Sequence, residues 1–326
     1  MATVAMPLAR RGIDASRLAL GCMGLGGGWG EGEVDAAQVR EAEAAIDAAL
    51  DAGIDFFDHA DIYARGRAET VFGRVLATRP GLRERIRIQS KCGIRPAEGA
   101  RVPGRYDFSA RHILASVDGS LARLGVEYLD VLLLHRPDPL MAAEEVAEAF
   151  HRLRRTGKVR HFGVSNMSGG QIRYLQSRLD VPLVVNQLEM GLTHIGFIES
   201  GVHVNQAAAA GDTFPEGTLE FCRMEGIQLQ AWRPLGRGYL SGRTPDDAPG
   251  TVRSTAALVA EMARERGVSR EAVVIAWLLA HPAAIQPVVG TKDPARIRAC
   301  AEALDLELTR EDWYALYVAA RGRPLP

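Results

Sequence analysis

The sequence is poor in cysteine, in lysine and in excess charge of either sign. Four cysteines occur in 326 residues and none belongs to a C-x-x-C pair, so we expect neither a disulfide framework nor a metal site. Basic residues number 39 and acidic residues 40, which gives a formal net charge of −1. A nearly neutral chain lacks the positive excess of proteins that bind nucleic acids or anionic membranes, and we expect neither partner.

Long apolar runs are also missing. Residues 272–291 hold no acidic residue, lysine or arginine, but His281-Pro282 and Gln286-Pro287 interrupt them, which predicts a helix, a turn and a strand rather than a membrane span. The N-terminal stretch has no apolar core of signal-peptide length, and we expect a cytoplasmic protein. Three of the 39 basic residues are lysines, namely Lys91, Lys158 and Lys292. In so arginine-rich a chain, a retained lysine points to a specific role.

Short apolar runs alternate with longer segments of helical spacing along the chain. Strands are predicted at about 17–23, 55–60, 86–92, 128–136, 161–166, 182–190, 227–234 and 284–290. Helices are predicted at about 35–52, from 68, at 109–125, through 146–153, and at 169–178, 217–225, 254–267, 269–281 and 293–304. Unbroken apolar runs such as residues 131–134 are typical of parallel strands that are buried on both faces.

These eight strand–helix units predict an α/β fold, the (β/α)8 or TIM barrel, as a single domain over residues 1–326. A doubly wound open sheet is the alternative, but no G-x-G-x-x-G follows the first strand. Three segments lie outside the repeat. They are a predicted N-terminal hairpin at 3–14, a long loop at 191–216 and an added C-terminal helix at 309–321.

Polar side chains cluster where the predicted strands end, which is where barrel enzymes carry their active sites. A tyrosine has a pKa of about 10, too high for efficient proton transfer at neutral pH, and a neighbouring ammonium lowers it. Lys91 could supply that ammonium to Tyr63, and Asp58 could hold Lys91 by a charge-assisted hydrogen bond. His135 could orient a carbonyl oxygen. Together the four residues would polarise a carbonyl and protonate the alkoxide that hydride addition forms.

Taken singly, each of these residues is better explained by a structural role than by a catalytic one. Lys91 could belong to an ion pair, or it could form a Schiff base with a substrate. His59 is expected to pack or to hydrogen-bond locally, and Trp29 to line a substrate pocket or simply to lie in a loop.

The order and spacing of several motifs resemble those of the aldo-keto reductase superfamily over nearly the full length of the chain. The matching segments are FDHADIY (57–63), QSKCGI (89–94), LLLHRPDPL (132–140), GVSN (163–166), NQ (186–187) and AWRPLG (231–236). The resemblance is greatest to a bacterial subgroup that shares HADIY, SKCGI and HRPDPL.

This resemblance implies an NADPH-dependent oxidoreductase that reduces aldehydes or ketones, with Tyr63 as proton donor, Lys91 and Asp58 tuning it, and His135 positioning the carbonyl. It also implies a nicotinamide dinucleotide lying across the barrel mouth. The residues that it assigns to the cofactor are Gly21, Cys22, Met23, Asp58, Ser165, Asn166, Gln187, Trp232, Arg233, Pro234, Leu235, Gly236, Arg237, Gly290, Thr291, Lys292, Arg296 and Cys300. An arginine on a 2′-phosphate favours NADPH over NADH, and Arg296 is the candidate.

The sequence departs from the commoner family pattern in places. Trp232 replaces a frequent tyrosine, and Arg233 and Arg237 replace small or hydroxylated residues. Cys300 replaces a polar residue that contacts adenine, and residues 64–65 are alanine and arginine where glycines are common. A second hypothesis is a nicotinamide-binding regulatory subunit with slow turnover, because relatives of this family serve as potassium-channel β subunits. A third is a Schiff-base lyase.

Overall fold

Eight parallel strands close into a barrel in the computed structural model, which describes residues 5–30, 32–99 and 101–326. Ten strands lie in the described residues, in chain order β1 (Ala19–Gly21), β2 (Phe56–Asp58), β3 (Arg87–Cys92), β4 (Ile94–Arg95), β5 (Arg105–Tyr106), β6 (Leu129–Leu134), β7 (Val159–Ser165), β8 (Leu183–Glu189), β9 (Gln228–Trp232) and β10 (Gln286–Val289). The strands β4 and β5 form a separate antiparallel pair, and the other eight form the barrel. Around the barrel the order is β1-β10-β9-β8-β7-β6-β3-β2, and each neighbouring pair is parallel. The predicted (β/α)8 barrel is therefore confirmed, and the open sheet is excluded.

Helices cover the outside of the barrel, and a helix lies at each position where one was predicted. They are α1 (Pro7–Arg10), α2 (Ala36–Asp51), α3 (Arg67–Ala77), α4 (Leu82–Arg85), α5 (Ala110–Leu124), α6 (Ala143–Arg155), α7 (Gly169–Gln176), α8 (Gly196–Val202), α9 (Thr218–Met224), α10 (Gly250–Arg266), α11 (Arg270–Leu279), α12 (Pro294–Ala301) and α13 (Arg310–Arg321). Local chemistry sets several of their ends. Asp35 forms a capping box with Gln38 at the start of α2, and Gly125 ends α5 at a φ of 65°.

The predicted N-terminal hairpin is wrong for the described part of 3–14, which holds the single helical turn α1; residues 3 and 4 lie outside the described residues. Pro7 stands at the first helical position, where its fixed φ suits a helix start. The backbone N–H groups of Arg11 and Ile13 both donate to the Leu8 carbonyl, so local turn bonds replace strand pairing. Leu8 and Ile13 pack against the first residues of β1 and β2, Ala19 and Phe56, and thereby cover the amino-terminal end of the barrel.

The long segment 191–216 is not a structureless loop, because it contains α8 and a 3-10 turn at Ala207–Gly211. A buried ion pair between Glu199 and Arg321 ties this segment to α13. Arg321 donates to both oxygens of Glu199, at 3.0 Å each, and the ring nitrogens of His203 lie 2.9 Å from Glu199 and 2.8 Å from Asp212. The helix α13 forms as predicted, with Thr309 in a capping box. The extra C-terminal helix therefore anchors the inserted segment.

No helix in the described ranges is both long and apolar enough to cross a membrane. The assignment of residues 1–326 to one domain stays a prediction.

Candidate active site

Four side chains meet at the carboxyl end of the barrel. Asp58 is the last residue of β2, Lys91 lies near the end of β3, His135 directly follows β6, and Tyr63 begins a 3-10 turn after β2. Lys91 is 1% exposed, and its Nζ donates to Asp58 Oδ2 at 2.7 Å. It also lies 3.1 Å from the Tyr63 hydroxyl and 2.8 Å from the His59 carbonyl oxygen. A buried ammonium therefore links the carboxylate to the phenol, which is the geometry that proton-transfer chemistry at Tyr63 requires.

Burial and neighbouring charges have opposite effects on the pKa values of Lys91 and Tyr63. Burial alone would lower the pKa of Lys91, but the charges of Asp58 and Tyr63 outweigh it, and the pKa lies above its usual value. For Tyr63, burial raises the pKa and outweighs the lowering effect of Lys91. The expected contact with Lys91 is present, but the expected net lowering of the tyrosine pKa is not. Tyr63 is thus a protonated phenol at neutral pH, beside a charged ammonium.

His135 is neutral in this setting. Burial, and then the charges of Lys91 and Arg136, hold the pKa of its imidazole well below the usual value. Its ring stands nearly perpendicular to the ring of Tyr63, with 5.9 Å between the centroids. Its Nδ1 is buried and has no hydrogen-bond partner among the described residues. In the tautomer that carries the proton on Nε2, a neutral imidazole can donate one hydrogen bond to a carbonyl oxygen.

The turn after Tyr63 has a strained backbone. Ala64 and Arg65 adopt left-handed conformations, with φ of 49° and 57°, and Gly66 follows at 85°. These angles explain why glycines are common at such positions, since each non-glycine residue there costs about 1–3 kcal/mol.

One cavity of about 770 Å³ opens above these residues, within the usual range for small-molecule sites. It brings together most of the side chains predicted from the sequence. Its lining includes Gly21, Met23, Asp58, Tyr63, His135, Ser165, Asn166, Gln187, Trp232, Arg233, Pro234, Leu235, Arg237, Gly290, Thr291 and Arg296. Lys91 lies beneath this wall and acts on it through Asp58 and Tyr63.

Four residues expected at the cofactor do not line the cavity. Cys22 and Cys300 are buried in the core, and burial raises the pKa of the Cys300 thiol to about 12. Gly236 is buried, and an added Cβ would lie 2.5 Å from Thr193. The side chain of Lys292 forms an ion pair with Glu41 on α2, at 2.7 Å, instead of turning inward. Cys300 stands where relatives have a polar residue that contacts adenine. Because it is buried in the core, this geometry does not support a contact between Cys300 and adenine.

One part of the cavity wall is rich in amide and indole groups. Asn166 donates to Ser165 Oγ at 2.8 Å and to the His135 carbonyl at 3.2 Å, and it accepts from the Trp232 indole N–H at 3.1 Å. Gln187 donates inward through Nε2 to Asp58, at 3.1 Å, which leaves its amide oxygen for the cavity. A flat aromatic amide such as nicotinamide fits this wall, because an indole face and polar partners stand side by side.

Another part of the wall is rich in arginine. A Cβ built on Gly238 would lie 3.3 Å from Arg243 Cδ and 3.6 Å from Arg296 Nη2, so these two side chains converge. Arg237 and Thr291 line the same cavity. Arg296 is held by Glu271 at 3.0 Å and by Ser241 at 2.9 Å. Guanidinium groups grouped in this way suit phosphate oxygens.

Sequence reasoning missed several residues of the wall, among them Gly24, Arg136, Glu189, Gly238, Arg243 and Val288. Arg136 could have been found, because it directly follows His135 at a strand end. Arg243 carried a weaker signal as the third arginine of the run that follows β9.

Sequence reasoning also missed a buried glutamine network, formed by Gln89, Gln187, Gln230 and Gln286 inside the barrel. Gln89 and Gln187 both donate to Asp58 Oδ1, at 2.6 and 3.1 Å, and both donate to Gln230 Oε1, at 2.9 and 3.0 Å. Gln230 donates to Gln286 at 2.9 Å. The signal was one glutamine in each of four predicted strands, and the network fixes one oxygen of Asp58 while Lys91 takes the other.

A closed parallel barrel with a lysine- and aspartate-linked tyrosine at its carboxyl end defines a barrel oxidoreductase that acts on carbonyl or alcohol groups. The chain belongs to the aldo/keto reductase family, whose model matches residues 17–319. Members of this family use nicotinamide cofactors. Among the described residues, no group of three or more His, Cys, Asp or Glu side chains could hold a metal ion.

The sequence is similar to those of several bacterial oxidoreductases over most of their length. The chain is 39% identical to the 6-dehydroglucose reductase of Agrobacterium fabrum, over 95% of this chain and 96% of the relative. It is also 39% identical to the uncharacterized oxidoreductase YcsN of Bacillus subtilis, over 86% of this chain and 88% of the relative. Among solved structures, the glycerol dehydrogenase from Gluconobacter oxydans matches with a TM-score of 0.79 and 26% identity, covering 100% of this chain and 98% of that one.

Proposed function

We propose that this protein reduces aldehydes or ketones to alcohols with NADPH, and that Tyr63 is the proton donor. The observation that carries the proposal is the chain of contacts from Asp58 through Lys91 to Tyr63, at 2.7 and 3.1 Å, beneath a cavity that His135 also faces. A structural ion pair would not need a phenol as its third member, nor a neutral imidazole opposite that phenol.

Each of the four side chains has a separate role in the proposed reaction. Hydride transfer to the carbonyl carbon is the chemistry that a reduced nicotinamide would supply when bound in the cavity. Tyr63 and neutral His135 both donate hydrogen bonds to the carbonyl oxygen, whose negative charge grows as the hydride arrives. Tyr63 then gives its proton to that oxygen, and Lys91 stabilises the phenolate that remains. Asp58, fixed by two glutamine amides, keeps Lys91 charged and in place.

The cavity wall suggests how the cofactor lies. Ser165, Asn166 and Gln187 would hold the carboxamide, and Trp232 would stack on the nicotinamide ring. The arginine-rich part of the wall, with Gly290 and Thr291 beside it, would hold the phosphates. We propose NADPH rather than NADH because Arg296 and its neighbours Arg237 and Arg243 offer more guanidinium groups than a pyrophosphate alone requires.

We also propose that the protein works in the cytoplasm on a small carbonyl substrate. Its four cysteines are free and buried, which suits a reducing compartment.

The test is NADPH consumption with aromatic aldehydes, α-dicarbonyls, quinones and, because of its relatives, 6-dehydroglucose. Tyr63→Phe removes the acid and keeps the ring, so kcat should fall by about 10²–10⁴-fold. The dissociation constants of NADPH and NADH, measured by tryptophan fluorescence, should be unchanged in the variant, and NADPH should bind more tightly than NADH. Tight NADPH binding by the wild type without turnover of any carbonyl would contradict the reductase and favour the regulatory subunit.

A further inference from the structure

Arg136 stands at the catalytic end of the cavity without an acidic partner. It follows His135 in the chain, lines the same cavity, and its charge is one of those that lower the pKa of His135. Its guanidinium carbon lies 5.7 Å from the centre of the Trp232 ring. Among the described residues no carboxylate oxygen lies within 4.0 Å of its guanidinium nitrogens. A permanently charged, partly buried group thus faces the cavity with a ring contact but no counter-charge.

The other arginines of the wall differ from Arg136 in partner or in exposure. Arg296 is paired with Glu271 at 3.0 Å, and Arg233 lies 3.5 Å from Glu189. Arg237 and Arg243 are exposed to solvent, whereas Arg136 is partly buried. Water can solvate the exposed guanidinium groups, but partial burial makes a missing anion more costly at Arg136.

The barrel order separates Arg136 from the phosphate-binding part of the wall. Counting along the barrel in either direction, β6 is the fourth strand from β10, so the two strands stand on opposite sides of the mouth. Thr291 and Arg296 follow β10, whereas Arg136 follows β6. Between β6 and β10 lie β7, β8 and β9, which carry or directly precede the side chains suited to the carboxamide and the nicotinamide ring. These are Ser165, Asn166, Gln187 and Trp232. A dinucleotide that runs from β10 to this amide-rich wall leaves the side of His135, Tyr63 and Arg136 to the substrate.

We propose that Arg136 binds an anionic group of the substrate, so that the preferred substrates are aldehydes or ketones that carry a carboxylate. This inference rests on the proposed reductase function and adds the class of substrate. A carboxylate can accept two parallel hydrogen bonds from the guanidinium, and it supplies the charge that Arg136 lacks. Because Arg136 adjoins His135, binding the carboxylate also positions the carbonyl between His135 and Tyr63.

Matched pairs of substrates test this directly. The enzyme should be assayed with 4-formylbenzoate and its methyl ester, and with 4-oxobutanoate and its methyl ester. In the aromatic pair the ester is the more reactive aldehyde because it withdraws electrons more strongly, so a preference for the acid reports binding. We expect kcat/KM for the acid to exceed that for the ester by about tenfold or more, mainly through KM.

Arg136→Met keeps an unbranched apolar stem and removes the guanidinium with its charge. We expect it to raise KM for the acids by about ten- to a hundredfold and to change KM for the esters and the Kd of NADPH by less than about threefold. Arg136→Lys, which keeps a point charge, should recover part of the preference. The matched control is Arg233→Met, because Arg233 lies 5.1 Å from the centre of the same Trp232 ring but pairs with Glu189, and it should affect acid and ester equally. Thermal melting checks that each variant is folded.

Three outcomes would overturn the inference: no preference for the acids in the wild type, a preference that survives in Arg136→Met, or a loss of NADPH affinity that matches the loss of activity. If neither the acid nor the ester is reduced, the proposed reductase function fails. Binding of a carboxylate ligand then tests the role of Arg136 separately. Calorimetry should then show that benzoate binds the complex with NADP⁺, that benzamide binds about tenfold more weakly or not detectably, and that Arg136→Met abolishes the difference. Equal binding of the two ligands would refute the role of Arg136.

Discussion

Replacing Gln230 by leucine should destabilise the protein and disturb the active site together, because this side chain is the centre of the glutamine network. Gln230 is fully buried and makes three hydrogen bonds of 2.9–3.0 Å, accepting from Gln89 and Gln187 and donating to Gln286. Leucine has a similar volume but can make none of them. The amides of Gln89 and Gln187 retain Asp58 as an acceptor, whereas Gln286 loses its donor.

The expected magnitude follows from these partners. A buried polar group left without its hydrogen bond costs about 1–3 kcal/mol. One acceptor, on Gln286, is left without its donor, and the two donors are left with Asp58 alone, so we expect a loss of about 2–4 kcal/mol in the free energy of unfolding. The same change leaves Asp58 Oδ1 as the one network acceptor that remains for both amides, which alters how Asp58 is held against Lys91. We therefore expect kcat to fall by about tenfold, since the charge that stabilises the Tyr63 phenolate is displaced.

The assay is urea denaturation followed by fluorescence, together with the pH profile of kcat. Gln228→Leu is the matched control, because Gln228 is equally buried in the same strand but donates to the backbone carbonyls of Leu229 and Ala284, not to the network. It should destabilise the fold and leave the pH profile of kcat unchanged, whereas Gln230→Leu should shift that profile. A Gln230→Leu variant as stable as the wild type within 0.5 kcal/mol, a margin of about the error that such comparisons carry, would refute the reasoning.

Two further predictions concern ionisable side chains other than Asp58, Tyr63, Lys91 and His135. Burial, and then the charge of Glu69, raises the pKa of Asp61 to about 7, so its contribution to stability is complete below pH 4 and is lost as the pH rises through about 7. Between pH 4 and 8 the wild type should lose on the order of 4 kcal/mol of its free energy of unfolding through Asp61, and Asp61→Asn should not show this loss. Urea titrations at a series of pH values measure it. Parallel plots of the free energy of unfolding against pH for wild type and variant would contradict the prediction. Arg321 is 3% exposed and pairs with Glu199, so Arg321→Leu should cost about 3–5 kcal/mol by leaving a buried carboxylate short of its cation. The Tyr317 hydroxyl also donates to Glu199, and an unchanged urea midpoint would show that His203 and Tyr317 hold Glu199 without Arg321.

The fold could be predicted because it depends on a pattern that repeats along the chain. Eight apolar runs alternating with helical segments suffice to predict a parallel barrel, and each strand lies within its predicted range or within a residue or two of it. Elements too short to show a period were missed. The strands β4 and β5 have two residues each, and α1 has four. Pro7 was a usable signal for α1, since proline is common at the first position of a helix.

The site was predictable only where its residues lie in recognisable motifs. Tyr63, Lys91, Asp58 and His135 met as expected, and His59 packs edge-on against Phe72 at 4.6 Å. Trp29 is 54% exposed and does not line the cavity. The glutamine network was missed, because a glutamine in each of four strands does not show which side chains meet when the barrel closes.

The state of Tyr63 illustrates why closure of the barrel, and not the motif alone, determines the chemistry. The motif supplies a phenol and an ammonium, and their proximity alone would lower the pKa of the phenol. Burial has the opposite effect and is larger, so Tyr63 stays protonated at neutral pH. A protonated phenol can donate to a carbonyl oxygen, which is what reduction requires, whereas oxidation of an alcohol requires the phenolate as base. The burial that keeps Tyr63 protonated at neutral pH suits the role of proton donor that we propose for it, and Lys91 would stabilise the phenolate once the proton has left.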